Sequence, residues 1–482
     1  MLKLFKPVLY VCGLLSLLMA GLMLIPAITG WVQQDSETYA FVFSSIVTAV
    51  AGTVLVLSCR SHHFSLTPRQ LYLMTSCSWV LLSVAGALPL IFGHGEIGIT
   101  DAVFESVSGI TTTGSTVLSG LENMPHSLLL WRALLQWIGG LGVIGMAVSI
   151  LPFLRVGGMR LFQTESSDWS DKSLPRLGNL ARLLLGVYSI ITAACILGYW
   201  LNGMSLFDAV SHALTTVSTG GYATDDRSMG RFDNGILWVS ILFMLLGGMP
   251  FVLFIRFMSN PSPKALADEQ VFGFLVIVAV LAVIMTFYLI QYDYYEPFDA
   301  LTQATFNIVS VITTTGYAST DYSLWGGFSL IFFFFVTFIG GCSGSTSGGM
   351  KIFRFQLSYL FLHRQIKMQV HPRGQFSILY NGKEVEDDII FSAVAFSFLF
   401  FLTLVFTSMI LAMTGLDYMT SLTGAATALT NVGPGLGDII GPAGNFKPLS
   451  DTAKWVLCFA MLLGRLELLS IMVLFTPVFW RG

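Results

Sequence analysis

Ten apolar runs punctuate this chain, each about 20 residues long, which is the length a helix needs to cross a hydrocarbon layer about 30 Å thick. They lie near residues 8–28, 39–59, 70–92, 128–153, 182–201, 235–257, 271–291, 326–350, 389–414 and 453–479. With 54% of the 482 residues hydrophobic and 11% charged, there is more apolar side chain than a soluble core could bury. The chain reads as an all-α integral membrane protein. Its first run follows Lys3 and Lys6 as a secretory signal would, but it exceeds the roughly 7–15 residues of such a signal's apolar core. It is therefore read as a retained span.

Ten crossings put both termini on one side, and the placement of Lys and Arg chooses that side. Of the 24 basic residues, 18 fall at the termini and in the alternate loops assigned to the cytoplasm, so both ends are expected there. The other face carries Asp35, Glu37, Glu96, Glu122, Asp225, Asp226, Asp293, Glu296, Asp321 and Asp438, which would draw cations toward an outer mouth. A net charge of -3 gives no reason to expect nucleic acid as a partner. The six cysteines lack paired spacing and read as small apolar fillers, and the seven histidines show no metal-ligand spacing. The pair His62-His63 reads as interfacial, as does Arg132 at the outer start of a span.

After the first two runs, the remaining eight form four pairs, and each outer connection carries a short amphipathic stretch followed by one small phrase. The copies are Thr111-Thr112-Thr113-Gly114, Val217-Ser218-Thr219-Gly220, Thr313-Thr314-Thr315-Gly316 and a degraded Thr430-Asn431-Val432-Gly433. Their glycines are 106, 96 and 117 residues apart, a loose internal repeat. Each stretch is expected to begin near an aspartate acting as N-cap: Asp101, Asp208, Asp299 and Asp417, 12 to 17 residues before the glycine. That leaves about three turns of half-helix pointing back into the membrane. The expected division is 1–66 for two extra N-terminal helices, then units 67–165, 166–262, 263–375 and 376–482 around a central pore.

Non-helical backbone at membrane depth survives only where protein buries it or water lines it. One Thr-Gly phrase could be a turn or a helix cap. Four at matching positions suggest loops around one axis, where glycine permits the positive φ that turns carbonyls inward and Thr or Ser supplies uncharged oxygens. The half-helices would aim the partial negative charge of their C-terminal ends at a cation. No acidic ring lies within the phrases, so a monovalent cation is favoured over a divalent one.

Two further features break the pattern of an ordinary span. Residues 340–349 hold five glycines and four Ser/Thr in ten positions, at a cost of roughly 1 kcal/mol per glycine in a helix. They read either as a helix break or as small-residue helix packing. A Walker-type phosphate loop is excluded, because Lys351 follows Met350 rather than the GK[ST] order. Arg465, inside the last run, either pairs locally with Glu467, snorkels, or faces water.

The four units, the phrases TTTG, VSTGGY, TTTGY and NVGPGLG, the two extra spans and the glycine-rich stretch together resemble the TrkH/TrkG type of the Trk/Ktr/HKT potassium transporters. The resemblance covers essentially the whole chain. It implies a bacterial inner-membrane potassium uptake subunit, a homodimer with one pore per protomer, gated by a cytosolic TrkA-type ring. Nucleotide (ATP, ADP or NAD) would sit on that ring, with no cofactor on this chain and K+ as the transported ion.

Carried over, the potassium filter comprises Thr112, Thr113, Gly114, Ser218, Thr219, Gly220, Thr314, Thr315, Gly316, Asn431, Val432 and Gly433. The gate comprises Gly340, Gly341, Cys342, Ser343, Gly344, Ser345, Thr346, Ser347, Gly348 and Gly349, with Arg465 facing the pore beneath the filter. Asn431-Val432 departs from the hydroxyl pattern. A single glycine per loop, unlike the TVGYG of ordinary potassium channels, implies looser discrimination among alkali ions.

The basic segments 155–182 and 351–388 are docking surfaces for the ring or simply solvated loops. Channel-like conduction is favoured over proton- or sodium-coupled symport, because no buried carboxylate or histidine relay is visible in the phrases. A remote enzyme reading rests on Tyr292-Asp293 and Gly435-Leu436-Gly437-Asp438, which match the YD and GxGD pair of intramembrane aspartyl proteases. Those aspartates must meet inside the bilayer, whereas these lie at its outer edge.

Overall fold

The computed structural model describes residues 2–60, 67–93, 97–149, 174–262 and 266–481. His62, His63 and most of the 155–182 segment lie outside the described residues. Apolar sequence in lipid must satisfy its backbone within each segment, which selects helices. Seven are long and apolar enough to cross a membrane: Leu4–Gln33, Thr38–Cys59, Pro68–Phe92, His126–Ala147, Gly178–Leu201, Glu269–Gln291 and Asp387–Met413. Two more crossings are bent pairs, Asn234–Gly247 with Phe251–Ser259 at 89° and Asp451–Arg465 with Leu468–Phe475 at 109°. The run expected at 326–350 holds the shorter apolar helix Gly327–Val336, and the next helix is Ile352–Val370. Among the described residues the sole sheet is a two-stranded hairpin, Leu379–Tyr380 against Lys383–Glu384, on the segment after that helix.

The first two helices pack through small residues. Gly13 and Gly52 face one another so closely that a Cβ on either would sit 2.9 Å from the other's carbonyl oxygen. Ser45 Oγ adds a bond to Ala20 O at 2.7 Å. Leu18, Ile46, Val50 and Leu57 stay exposed on the outer side, as lipid contact requires.

Between the spans of each following pair lies one buried half-helix: Ile99–Ile110, Leu206–Val217, Pro297–Ile312 and Tyr418–Thr430. The expectation of an aspartate cap holds at Asp417 alone, whose carboxylate accepts from Thr420 N at 3.1 Å. Ser205 caps the second half-helix through Asp208 N at 3.1 Å, Pro297 opens the third, and Gly98 precedes the first. Asp101, Asp208 and Asp299 sit in the first turn instead. A carboxylate there still complements the positive helix end, and Asp101 and Asp208 form ion pairs with Lys454 at 2.6 Å and Arg231 at 2.7 Å.

The second spans also depart from expectation. Sequence predicts a break only at 340–349, yet three of the four are broken. In the second unit the helix stops at Gly247 and restarts after Pro250, which cannot continue it. In the third and fourth units the restart residues Lys351 (φ 59°, ψ 111°) and Glu467 (φ 59°, ψ 108°) share one conformation. The buried apolar residues form two large cores, one drawn mainly from units one and four, including Phe104, Trp131 and Leu457, with Phe353 and Leu357 of unit three packed into it. The other joins units two and three, including Tyr188, Met244, Phe274 and Phe306.

Candidate functional site

All four half-helices end alike. A left-handed residue follows the last helical turn: Thr112 (φ 52°), Thr219 (φ 51°), Thr314 (φ 56°) and Asn431 (φ 56°). The next N–H then reaches back five residues: Thr113 to Ser108 O at 2.9 Å, Gly220 to Thr215 O at 2.8 Å, Thr315 to Ser310 O at 2.8 Å, and Val432 to Thr427 O at 3.1 Å. A positive-φ glycine comes next, at Gly114 (86°), Gly221 (79°), Gly316 (78°) and Gly433 (110°). In the second copy the glycine of the pattern is therefore Gly221, not Gly220. Its register is Ser218-Thr219-Gly220-Gly221, one residue later than the phrase match, and the doubled glycine hid the shift. The intervals become 107 (221 − 114), 95 (316 − 221) and 117.

The four loops close on one another in order. A Cβ on Gly114 would strike the Gly220 carbonyl, one on Gly221 that of Thr315, one on Gly316 that of Val432, and one on Gly433 that of Thr113. Ser115 Oγ to Gly433 O at 2.8 Å and Asn431 Nδ2 to Thr113 Oγ1 at 2.9 Å seal the fourth copy to the first. The three residues before each of Gly114, Gly221 and Gly316 are buried, and these glycines stay partly exposed. A closed ring of this kind stacks uncharged oxygens around one axis at the C-terminal ends of four half-helices.

Residues 340–349 lie against this ring and are not helical, so they do not form a continuous helix-packing face. The loop touches three of the four copies: Thr346 Oγ1 receives from Thr219 Oγ1 at 3.1 Å, Ser347 Oγ meets Thr314 Oγ1 at 3.2 Å, Gly348 N donates to Thr314 Oγ1 at 2.6 Å, and Gly349 N donates to Thr430 O at 2.8 Å. In the first copy Thr112 Oγ1 has no partner among the described residues. The break in the second unit supplies the other anchor. Its freed groups exchange four bonds with the loop: Cys342 N to Gly248 O at 2.9 Å, Thr346 N and Oγ1 to Gly247 O at 3.2 and 2.9 Å, and Phe251 N to Gly344 O at 3.0 Å.

Arg465 is 4% exposed and donates from Nη2 to Thr346 O at 2.8 Å, while its Nε and Nη1 find no partner among the described residues. It does not pair with Glu467, which takes Arg354 Nη2 at 2.6 Å, with Phe396 beneath that guanidinium at 3.7 Å. Lys351 Nζ reaches Ser347 O at 2.5 Å and Cys342 O at 3.4 Å. In the sequence Lys351 and Arg354 read as the ordinary positive fringe of a span, whereas both are buried. Ser347, Gly348, Lys351, Arg465 and Glu467 line a cavity of about 20 Å³, enough for about one water.

Two further expectations need correction. Arg132 is not interfacial: it is 1% exposed, and its Nε meets the fully buried Glu105 at 2.7 Å. Its partner lies on the half-helix 27 residues earlier, a pairing that spacing could not reveal. Several outer acids are also engaged structurally. Asp226 accepts from Gly120 N at 2.6 Å and Leu121 N at 3.1 Å, and Asp225 binds Arg227 at 3.2 Å and Arg231 at 3.3 Å. Asp293 and Asp438 are both exposed.

Fold and ring together define a multi-span membrane transport protein. A family model described as "TrkH: Cation transport protein" matches residues 37–481. The chain is 48% identical over 482 residues to the Trk system potassium uptake protein TrkI of Halomonas elongata, spanning 100% of this chain and 98% of that one. It is 36% identical over 483 residues to the Trk system potassium uptake protein TrkH of Escherichia coli K12, spanning 99% of each. The crystal structure of the potassium transporter TrkH from Vibrio parahaemolyticus matches with a TM-score of 0.92 at 36% identity, covering 99% of this chain and 100% of that one. The chain belongs to the TrkH family of cation transport proteins, a family of transporters and not of enzymes.

Proposed function

We propose that this chain takes up potassium across a bacterial inner membrane through the ring of four Thr/Gly loops, with residues 340–349 and Arg465 as its gate. The single observation that supports this most is the head-to-tail closure of the four loops, each glycine seated on the next copy's carbonyl. Potassium as the ion rests on the names of the relatives. In this reading the filter ligands come from residues 112–114, 219–221, 314–316 and 431–433, with Ser218 closing the second half-helix. The fold divides into the N-terminal pair 1–66 and the four units expected from sequence.

The loop holds the gate shut because it hydrogen-bonds to three filter copies, while the Arg465 charge opposes a cation leaving the ring. Four such bonds at about 0.5–1.5 kcal/mol each total a few kcal/mol. That is comparable with the about 5.5 kcal/mol needed to swing a two-state gate from 1:99 to 99:1, so a nucleotide-driven partner can open it. The partner is a cytosolic TrkA-type ring acting on Ile352–Val370, the helix that continues from the loop, with two copies of this chain side by side and both termini cytoplasmic. The test is potassium flux from purified protein in liposomes with and without that ring and its nucleotide. Flux that rises on adding the liganded ring supports the reading; flux indifferent to it removes the partner from the account.

A further inference from the structure

Counting from the left-handed residue of each copy exposes a second, hidden repeat behind the ring. Seven residues before Thr112, Thr219, Thr314 and Asn431 stand Glu105, His212, Asn307 and Gly424, and five residues after stand Val117, Thr224, Ser319 and Leu436. In the first unit Glu105 Oε2 accepts from Val117 N at 3.0 Å. In the third, Asn307 Oδ1 accepts from Ser319 N at 3.3 Å and its Nδ2 donates to Ser319 Oγ at 2.9 Å. In the fourth, Gly424 has no side chain and its neighbour substitutes: Leu436 N donates to Thr423 Oγ1 at 3.1 Å. In the second, His212 Nδ1 meets Asp208 O and its Nε2 has no partner among the described residues, while Thr224 Oγ1 is held by Asp208 Oδ1 at 2.6 Å.

We infer that these half-helix side chains form a rear brace that fixes the aperture of the ring, and that Glu105, Asn307 and Thr423 are positioning residues for ion discrimination. This rests on the filter reading above. Each brace ties the half-helix before the ring to the segment leaving it, so the carbonyls between are clamped from both sides. An unclamped ring can contract around a smaller, more strongly hydrated cation; a clamped one keeps its oxygens at one spacing.

The bracing is unequal around the ring. In the first unit the brace is charged, and Arg132 answers it. From one helix face Arg132 and Gln136 also hold the second copy: Arg132 Nη1 donates to Ala223 O at 3.1 Å, and Gln136 Nε2 donates to Gly220 O at 2.6 Å. Tyr222 closes the circuit, lying 4.1 Å under the Arg132 guanidinium and donating to Glu105 O at 2.7 Å. The third and fourth braces are neutral. They can be cut without leaving an unpaired charge in the interior, which makes them the ones to test.

The full chain in liposomes is assayed for sodium against potassium flux as Asn307→Ala, Thr423→Val, Thr423→Ser and, as a reference within the ring, Gly316→Ala. The brace predicts that Asn307→Ala raises the sodium-to-potassium ratio severalfold, that Thr423→Val shifts it the same way, and that Thr423→Ser, which keeps the hydroxyl acceptor for Leu436 N, retains most of the parent ratio. Thr423→Val removes one hydroxyl at nearly constant volume and carries the test alone where Asn307→Ala fails to insert. A ratio altered by Gly316→Ala but unmoved by Asn307→Ala or Thr423→Val, at whatever total flux, overturns the brace and leaves the filter standing. A ratio unmoved by all four, with flux retained, overturns the filter reading itself.

Discussion

Three threonines in left-handed backbone carry the local argument. A β-branched residue at positive φ is a true outlier, and the left-handed form costs roughly 1–2 kcal/mol per residue. Strain of this kind persists only where the surroundings enforce it, as they do at functional sites. Thr112, Thr219 and Thr314 accept it together. At the fourth position Asn431 tolerates the same φ more easily, so the copy that looks degraded in sequence is the least strained in structure. Thr314 also holds the loop through Gly348 N at 2.6 Å. Thr314→Val keeps the volume and deletes that acceptor, so basal potassium flux without the partner ring should rise by about 2- to 12-fold, the equivalent of about 0.5–1.5 kcal/mol. Flux measured in liposomes that stays at the parent level would remove the latch from the account.

Residue chemistry was largely legible before the fold was known. The Thr/Gly phrases, the glycine-rich stretch and Arg465 can all be picked out by type and spacing. What could not be read was register and pairing across units. Gly220-Gly221 offers two glycines to one position, and the bond from Gly220 N to Thr215 O and the positive φ of Gly221 decide between them. Arg132 looks like an interfacial charge until Glu105 is brought beside it.

Among the elements, the bend at Pro250 has the largest consequence. A straight helix would spend Gly247 O and Gly248 O on its own ladder; the bend hands them to the loop. Sequence showed the glycine-rich break because five glycines are conspicuous, but a lone proline near a span end is compatible with an intact crossing. Pro250→Ala should let the helix run on, withdraw both acceptors and destabilise the closed loop. The expected outcome is raised basal flux together with faster proteolysis between residues 340 and 349; an unchanged cleavage rate contradicts the docking.

The outer connection of the second unit makes a separate prediction. Burial pushes the Asp225 carboxyl up, but hydrogen bonds from the Arg227 side chain and backbone and the nearby Arg231 charge hold it below its ordinary 3.8. A lowered acid contributes stability that is complete above its unfolded pKa and is lost as pH falls through the folded value. Thermal unfolding should therefore lose the Asp225→Asn difference as pH drops from 6 to below 3. A difference that persists at the acid end would assign the effect to packing instead.

At the scale of the whole molecule, one core draws mainly on units one and four but takes in Phe338, Phe353 and Leu357 of unit three, and the other draws mainly on units two and three but takes in Val432 and Leu436 of unit four. The third and fourth units contribute to both, so the two halves interlock around the ring. Residues 340–349 lie between those halves, bonded to copies two and three and to Thr430 O of copy four. Movement of Ile352–Val370 would thus pull at both halves at once. The number of crossings and the four-unit plan follow from hydropathy and repeat spacing, but the pairing of cores does not, because lipid-facing and core-facing apolar residues are indistinguishable in a sequence. The most direct measurement is the reversal potential of the purified protein in liposomes, under opposed potassium and sodium gradients and with the proton gradient varied, for the parent and for Gly316→Ala, whose Cβ would meet the Val432 carbonyl. The account predicts that the parent tracks the potassium gradient at every pH and that Gly316→Ala either shifts toward sodium or loses current; a Gly316→Ala current reversing where the parent does would contradict it.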